Sequence, residues 1–113
     1  MSDQLTKKHC VPCEGGMPPI EAARVPNYLK HTPGWTSPDG KSIVREFKLK
    51  DFVSVMGFVN KVADLAESEG HHPDIHIFYN RIRFELSTHA IGGLSENDFI
   101  LAAKINELVP TVG

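Results

Sequence analysis

Apolar residues recur along this chain with two different periods, and the change of period marks the elements. From Asp51 to Glu69 the apolar positions Phe52, Val55, Met56, Val59, Val62, Ala63 and Ala66 fall at helical spacing. Phe58 and Leu65 lie beside that stripe, so the apolar face is broader than one sheet contact requires. Asp51 can cap the start, and Gly70 can end the helix in the left-handed conformation. Gly57 in mid-helix costs about 1 kcal/mol against alanine, which fits close packing at that point. Two readings stay open: a well-buried helix, or a helix that also packs against another subunit.

Residues 73 to 88 switch to a period of two. Ile75, Ile77 and Tyr79 alternate with Asp74, His76 and Phe78; Ile82, Phe84 and Leu86 alternate with Arg83, Glu85 and Ser87. A two-residue loop at Asn80-Arg81 pairs Tyr79 with Ile82, Ile77 with Phe84 and Ile75 with Leu86, all on one face. Upstream, Trp35-Thr36-Ser37 enters a Pro38-Asp39-Gly40-Lys41 turn and Ser42 to Leu49 returns, predicting a second strand pair. A short helix is expected from about Ile20 to Lys30, disturbed by Pro26. A last helix is expected from Ser95-Glu96-Asn97-Asp98 to about Leu108, with Phe99, Ile100, Ala103, Ile105 and Leu108 as its stripe. The order α-β-β-α-β-β-α predicts an α+β fold: a four-stranded antiparallel sheet with three helices on one face. Residues 1–19 read as an N-terminal arm, and 20–113 as a single domain.

The length, 113 residues with 41% hydrophobic, suits one core. Twelve basic against 14 acidic residues give a net charge of −2, which counts against direct nucleic-acid binding. The longest nearly apolar run, Phe52 to Val59, is far short of the ~20 residues a membrane span needs. No signal-like stretch opens the chain, so the expected compartment is the cytoplasm, with the nucleus as the alternative. The only cysteines, Cys10 and Cys13, form a Cys-x-x-Cys in the arm. It reads as a minor structural segment, half a zinc site or a redox pair.

Six histidines in so short a chain is unusual. Extending the hairpin register sets Pro73 opposite Thr88 and His72 opposite His89, with His71 adjacent, so three imidazoles gather at one end of the sheet. Such a trio suits zinc binding or general acid/base catalysis, because imidazole titrates nearest neutral pH. His9, His31 and His76 stand alone and read as surface or structural residues. Ser95 and Asp98 form a helix-start pair, a role compatible with a place in a site. Glu67, one helical turn before His71, can orient a histidine, and Trp35 is either a core or rim residue or a contact for a flat ligand.

At Glu67, His71-His72-Pro73, Tyr79, His89 and Asp98 the chain resembles the pterin-4a-carbinolamine dehydratase family. Three residues separate Glu67 from His71, five Pro73 from Tyr79, nine Tyr79 from His89 and eight His89 from Asp98. Pro33-Gly34-Trp35, Phe47-Lys48-Leu49-Lys50-Asp51-Phe52, Tyr79-Asn80-Arg81, Leu86-Ser87-Thr88-His89 and Gly93-Leu94-Ser95-Glu96 fit as well. The likeness runs from about residue 33 to 109 and leaves out the cysteine-bearing arm; Ile75 stands where many members carry an aromatic.

The resemblance implies a lyase that removes water from 4a-hydroxytetrahydropterin to give quinonoid dihydropterin, in tetrahydrobiopterin recycling. It implies His71, His72 and His89 as catalytic residues, with His71 and His89 moving protons and His72 chiefly placing substrate. Pro73, Ser87, Thr88, Glu67, Asp98 and Trp35 are then substrate-site residues. No cofactor and no metal are implied. The expected partners are the pterin and further copies of the chain, as a homodimer or a homotetramer built as a dimer of dimers. A non-catalytic dimerisation or transcriptional cofactor on the same fold is the alternative.

Overall fold

The computed structural model describes residues 5–10 and 18–109. A 3-10 turn at Ala22–Arg24 leads into the short helix α1 (Val25–Leu29). Strand β1 (Ile43–Lys48), helix α2 (Phe52–Glu69), strands β2 (Asp74–Phe78) and β3 (Arg81–Leu86), a 3-10 turn at His89–Ile91 and helix α3 (Glu96–Leu108) follow. Pro26 falls in the first turn of α1, where its missing N–H costs no hydrogen bond.

The sheet has three antiparallel strands, in the order β1-β3-β2, not the four expected. In place of the fourth strand there is one bridge, Thr36 to Val44, with both of its N–H···O bonds made (3.0 and 2.8 Å). Its shortness has a local cause. Trp35 turns into the core at 4% exposure, and Pro33 and Pro38, which have no N–H to donate, bracket the segment. Gly34 takes φ +88° under the Arg45 guanidinium, where an added Cβ would lie 2.6 Å from Nε.

The hairpin register also differs from expectation. Ile75 pairs with Phe84 and Ile77 with Ile82, so the two-residue loop is Tyr79-Asn80 rather than Asn80-Arg81. The slip is of two residues, which keeps Ile75, Ile77, Ile82, Phe84 and Leu86 on one face and moves Tyr79 into the loop. Tyr79 enters the left-handed region at φ 52°, and the Asn80 carbonyl accepts the Leu49 N–H at 2.8 Å.

The inner face of the sheet buries Ile43, Phe47, Ile82, Phe84 and Leu86 in one cluster with Val55, Phe58 and Val62 of α2. Phe47, Phe58 and Phe84 meet edge to face, with centroids 5.1 to 5.9 Å apart. Phe58, beside the stripe in sequence, is thus at the centre of the core, while Phe52 is 47% exposed. An added Cβ at Gly57 would meet nothing within 4 Å, so the close packing expected there is not made among the described residues. Helix α3 is buried on most sides, and Tyr28 of α1 stacks on its Phe99 at 4.8 Å.

The arm is docked where it is described. Leu5 joins the core, Lys8 pairs with Glu96 at 2.7 Å, and the Ile20 N–H reaches the Leu94 carbonyl at 2.8 Å. Cys13 lies outside the described residues, so the Cys-x-x-Cys is seen only at Cys10.

Candidate active site

Gly70 ends α2 with φ 66°, its N–H returning to the Glu67 carbonyl and that of His71 to Ala66. This corner releases His71 and His72 just before β2. At the same end of the sheet, Thr88 follows β3 and forms a bridge with Gly93. With the observed pairing, continuation by residue number sets His71 opposite Thr88 and His72 opposite Ser87, not His72 opposite His89.

The corrected register brings together a different set. Asp98, fully buried in the first turn of α3, has its Oδ1 2.6 Å from His71 Nε2. Its Oδ2 accepts from Thr88 Oγ1 at 2.9 Å and from the Ser95 N–H at 2.9 Å. Thr88 Oγ1 lies 2.8 Å from Ser95 Oγ. Asp98 therefore caps its helix and also ties it to the segments carrying His71 and Thr88. A carboxylate accepting from all three is fully satisfied as an anion. His71 Nε2 is then the donor, and Nδ1 is the nitrogen through which His71 can take or give a proton. The His71 side chain is 12% exposed, which suits contact with a bound molecule.

His72 stands apart, 59% exposed, with Nε2 2.7 Å from Glu67 Oε1; the helix carboxylate thus orients His72 rather than His71. His89 is exposed on its 3-10 turn. It lines a cavity of about 270 Å³ with Ser87, Thr88, Gly92, Gly93, Ser42, Glu85, Asp39 and Lys41. The Asp39 carboxylate is held below its ordinary range, chiefly by the Lys41 N–H and further by Ser42. Pro73 is half-buried beside the histidines. Trp35 is elsewhere: it is enclosed in the core, and its indole N–H donates to Asn106 Oδ1 at 2.9 Å. His9, His31 and His76 are scattered, at Glu69, beside Arg24 and Tyr28, and across from Arg83.

Two groups escaped the reading of the sequence. Ser95 was seen as a cap but also holds Thr88. Glu69 is the other: its side chain is 5% exposed and accepts from the Cys10 N–H at 2.8 Å and from Lys104 Nζ at 2.9 Å, with His9 Nδ1 at 3.1 Å. Burial alone would raise its pKa; the Cys10 amide, Lys104 and His9 together outweigh that and bring it to about 2. Burial, with Glu69 adding to it, pushes the Cys10 thiol up to about 12, and its Sγ donates to the Asn97 carbonyl at 3.6 Å. A thiol held protonated is a poor metal ligand or nucleophile. Among the described residues no three His, Cys, Asp or Glu side chains are gathered so as to hold a metal ion. None of the described helices is long and apolar enough to cross a membrane.

The sequence profile of the family described as Pterin 4 alpha carbinolamine dehydratase matches residues 18–108. The chain belongs to this family. A relative from Nitrosospira multiformis that carries a provisional pterin-4-alpha-carbinolamine dehydratase name is 49% identical over 106 residues, covering 94% of this chain and 93% of the relative. The crystal structure described as a transcriptional coactivator/pterin dehydratase from Brucella melitensis is 34% identical, with TM-score 0.76, over 81% of this chain and 99% of that one. A pterin dehydratase-like protein described as a RuBisCO assembly factor in the alpha-carboxysome is 20% identical, with TM-score 0.59, over 67% and 89%; it shares the dehydratase fold.

Proposed function

We propose that this protein removes water from a 4a-hydroxytetrahydropterin, with 4a-hydroxytetrahydrobiopterin the foremost candidate, giving the quinonoid dihydropterin in pterin recycling. One observation carries the reading: His71 is tied through buried Asp98 to Thr88, the neighbour of His89 at the mouth of a cavity, in a chain of the dehydratase family.

The elimination breaks the C4a–O bond, and the departing hydroxyl takes up a proton. N5 gives up its proton, and the electron pair left on it forms the C4a=N5 bond. No electrons are exchanged with an outside partner, so histidine acid/base chemistry suffices. His71, through Nδ1, and His89 are the proton-transferring pair, and His72, oriented by Glu67, places the substrate. Ser87 and Thr88 bond the pterin edge, Pro73 shapes the wall, and Asp98 fixes the His71 ring. Trp35, enclosed as it is, supports the fold around the site. Each step of acid or base assistance is worth about 10²–10⁴-fold.

The test is stopped-flow dehydration of enzymatically generated 4a-hydroxytetrahydropterin. His71→Ala and His89→Ala should each lower turnover at least about tenfold with the fold retained. Wild-type turnover in both variants would sink the assignment.

A second reading, a non-catalytic interaction module, is favoured by exposed Phe52 (47%), Val53 (78%), Phe78 (46%) and Tyr79 (71%). The Brucella melitensis relative's description as a coactivator as well as a dehydratase points the same way. A partner retained after loss of all three site histidines, together with no dehydration by the purified protein, would decide for it. In either case assembly into two or four copies would cover these side chains, and light scattering on the eluting protein measures it.

A further inference from the structure

The corner that carries His71 is fastened to α3 at two points, one on each side of Gly70. Past the corner, His71 Nε2 holds Asp98 at 2.6 Å. Before it, Glu69 holds Lys104 at 2.9 Å. Asp98 and Lys104 lie six residues apart on α3, about 9 Å along its axis. Two anchors from different turns of the helix fix both the position and the tilt of the corner; one alone leaves a hinge turning about Asp98.

Glu69 and Lys104 are also costly to bury, at 5% and 12% side-chain exposure. A buried ion pair of this kind is weak evidence for stability, so its value is to be sought in geometry. The arm completes it. The Cys10 N–H fills Glu69 Oε1 at 2.8 Å, and Cys10 Sγ reaches the Asn97 carbonyl, one residue before Asp98. The arm, the end of α2 and Lys104 of α3 thus meet on one carboxylate.

We infer that Glu69, held by Lys104 and the Cys10 amide, is a positioning residue for His71. It touches no substrate and acts by keeping the imidazole in register with Asp98. As a statement about turnover the inference rests on the dehydratase reading; as a statement about the His71 ring it does not.

The experiment uses the full chain and two readouts: dehydration kinetics, and the nitrogen-15 NMR signal of the His71 Nε2–H hydrogen-bonded to Asp98. Glu69→Gln should lower kcat about tenfold with KM changed less than about twofold. The Nε2–H signal should broaden or exchange away. Lys104→Met should do the same and keeps the test open if Glu69→Gln fails to fold; Lys104→Arg, which keeps the cation, should restore both readouts. Val55→Ala, a core destabilisation elsewhere, should leave both unchanged below its melting range. Folded Glu69→Gln and Lys104→Met proteins with wild-type kcat and an intact His71 signal would overturn the inference. If the wild type itself shows no turnover, the dehydratase reading fails, and the His71 signal alone decides this one.

Discussion

Asp98 concentrates three demands on one side chain. It caps α3 through the Ser95 N–H, receives the Thr88 hydroxyl, and holds His71, while fully buried. Because it is satisfied only as an anion, replacing it with the isosteric amide turns one acceptor into a donor. Asp98→Asn should therefore cost about 1–3 kcal/mol in denaturant-measured stability, and dehydration should fall by at least the about tenfold expected for loss of an acid/base residue. The capping role of Asp98 was legible in the sequence, since Ser95 and Asp98 carry a spacing that has a mechanism. Glu69 was not legible: the sequence marks it only as the end of a helix. Its partners, 35 residues on at Lys104 and 59 back at Cys10, are set by tertiary packing alone.

For the elements, a period settles the face and leaves the register open. The alternation in β2 and β3 put Ile75, Ile77, Ile82, Phe84 and Leu86 on one side, as the pairing has them. A slip of two residues preserves that alternation, so the pattern could not choose between loops. The observed loop puts Tyr79 in the left-handed region, a local cost that the alternation does not reveal. The same blindness explains why His72 was set opposite His89. The missing fourth strand is a matter of length: between Pro33 and Pro38 there is backbone for one bridge only. In α2 the helix was right, but of its stripe only Val55, Val62 and Ala66 are buried, with Phe58 from beside it, while Phe52 and Ala63 are exposed, so the apolar breadth points outward as well as inward. Gly57 tests the outward side. Among the described residues nothing opposes a methyl there, so Gly57→Ala should stabilise an isolated chain by about 0.5–1 kcal/mol in thermal unfolding at low concentration. A loss of stability instead, growing with protein concentration, would place a second helix against that face.

At the scale of the whole molecule, the arm and both long helices converge on a carboxylate with an acid-sensitive contribution. Glu69 has a folded pKa of about 2 against an ordinary value of 4.5, so it binds its proton more weakly in the folded state. The stability this contributes is fully present above the ordinary value and is lost as pH falls through the folded one. Urea midpoints measured from pH 6 down to pH 3 should therefore drop more steeply for the wild type than for Glu69→Gln. Parallel curves would mean that the arm is held by Leu5 and other contacts without the carboxylate.

The chain has a single indole, enclosed and tied to Asn106 near the far end of α3. Intrinsic fluorescence will consequently report the joint between that helix and the segment before β1. It will stay silent about partial opening around the imidazoles, which needs an optical probe placed there on purpose.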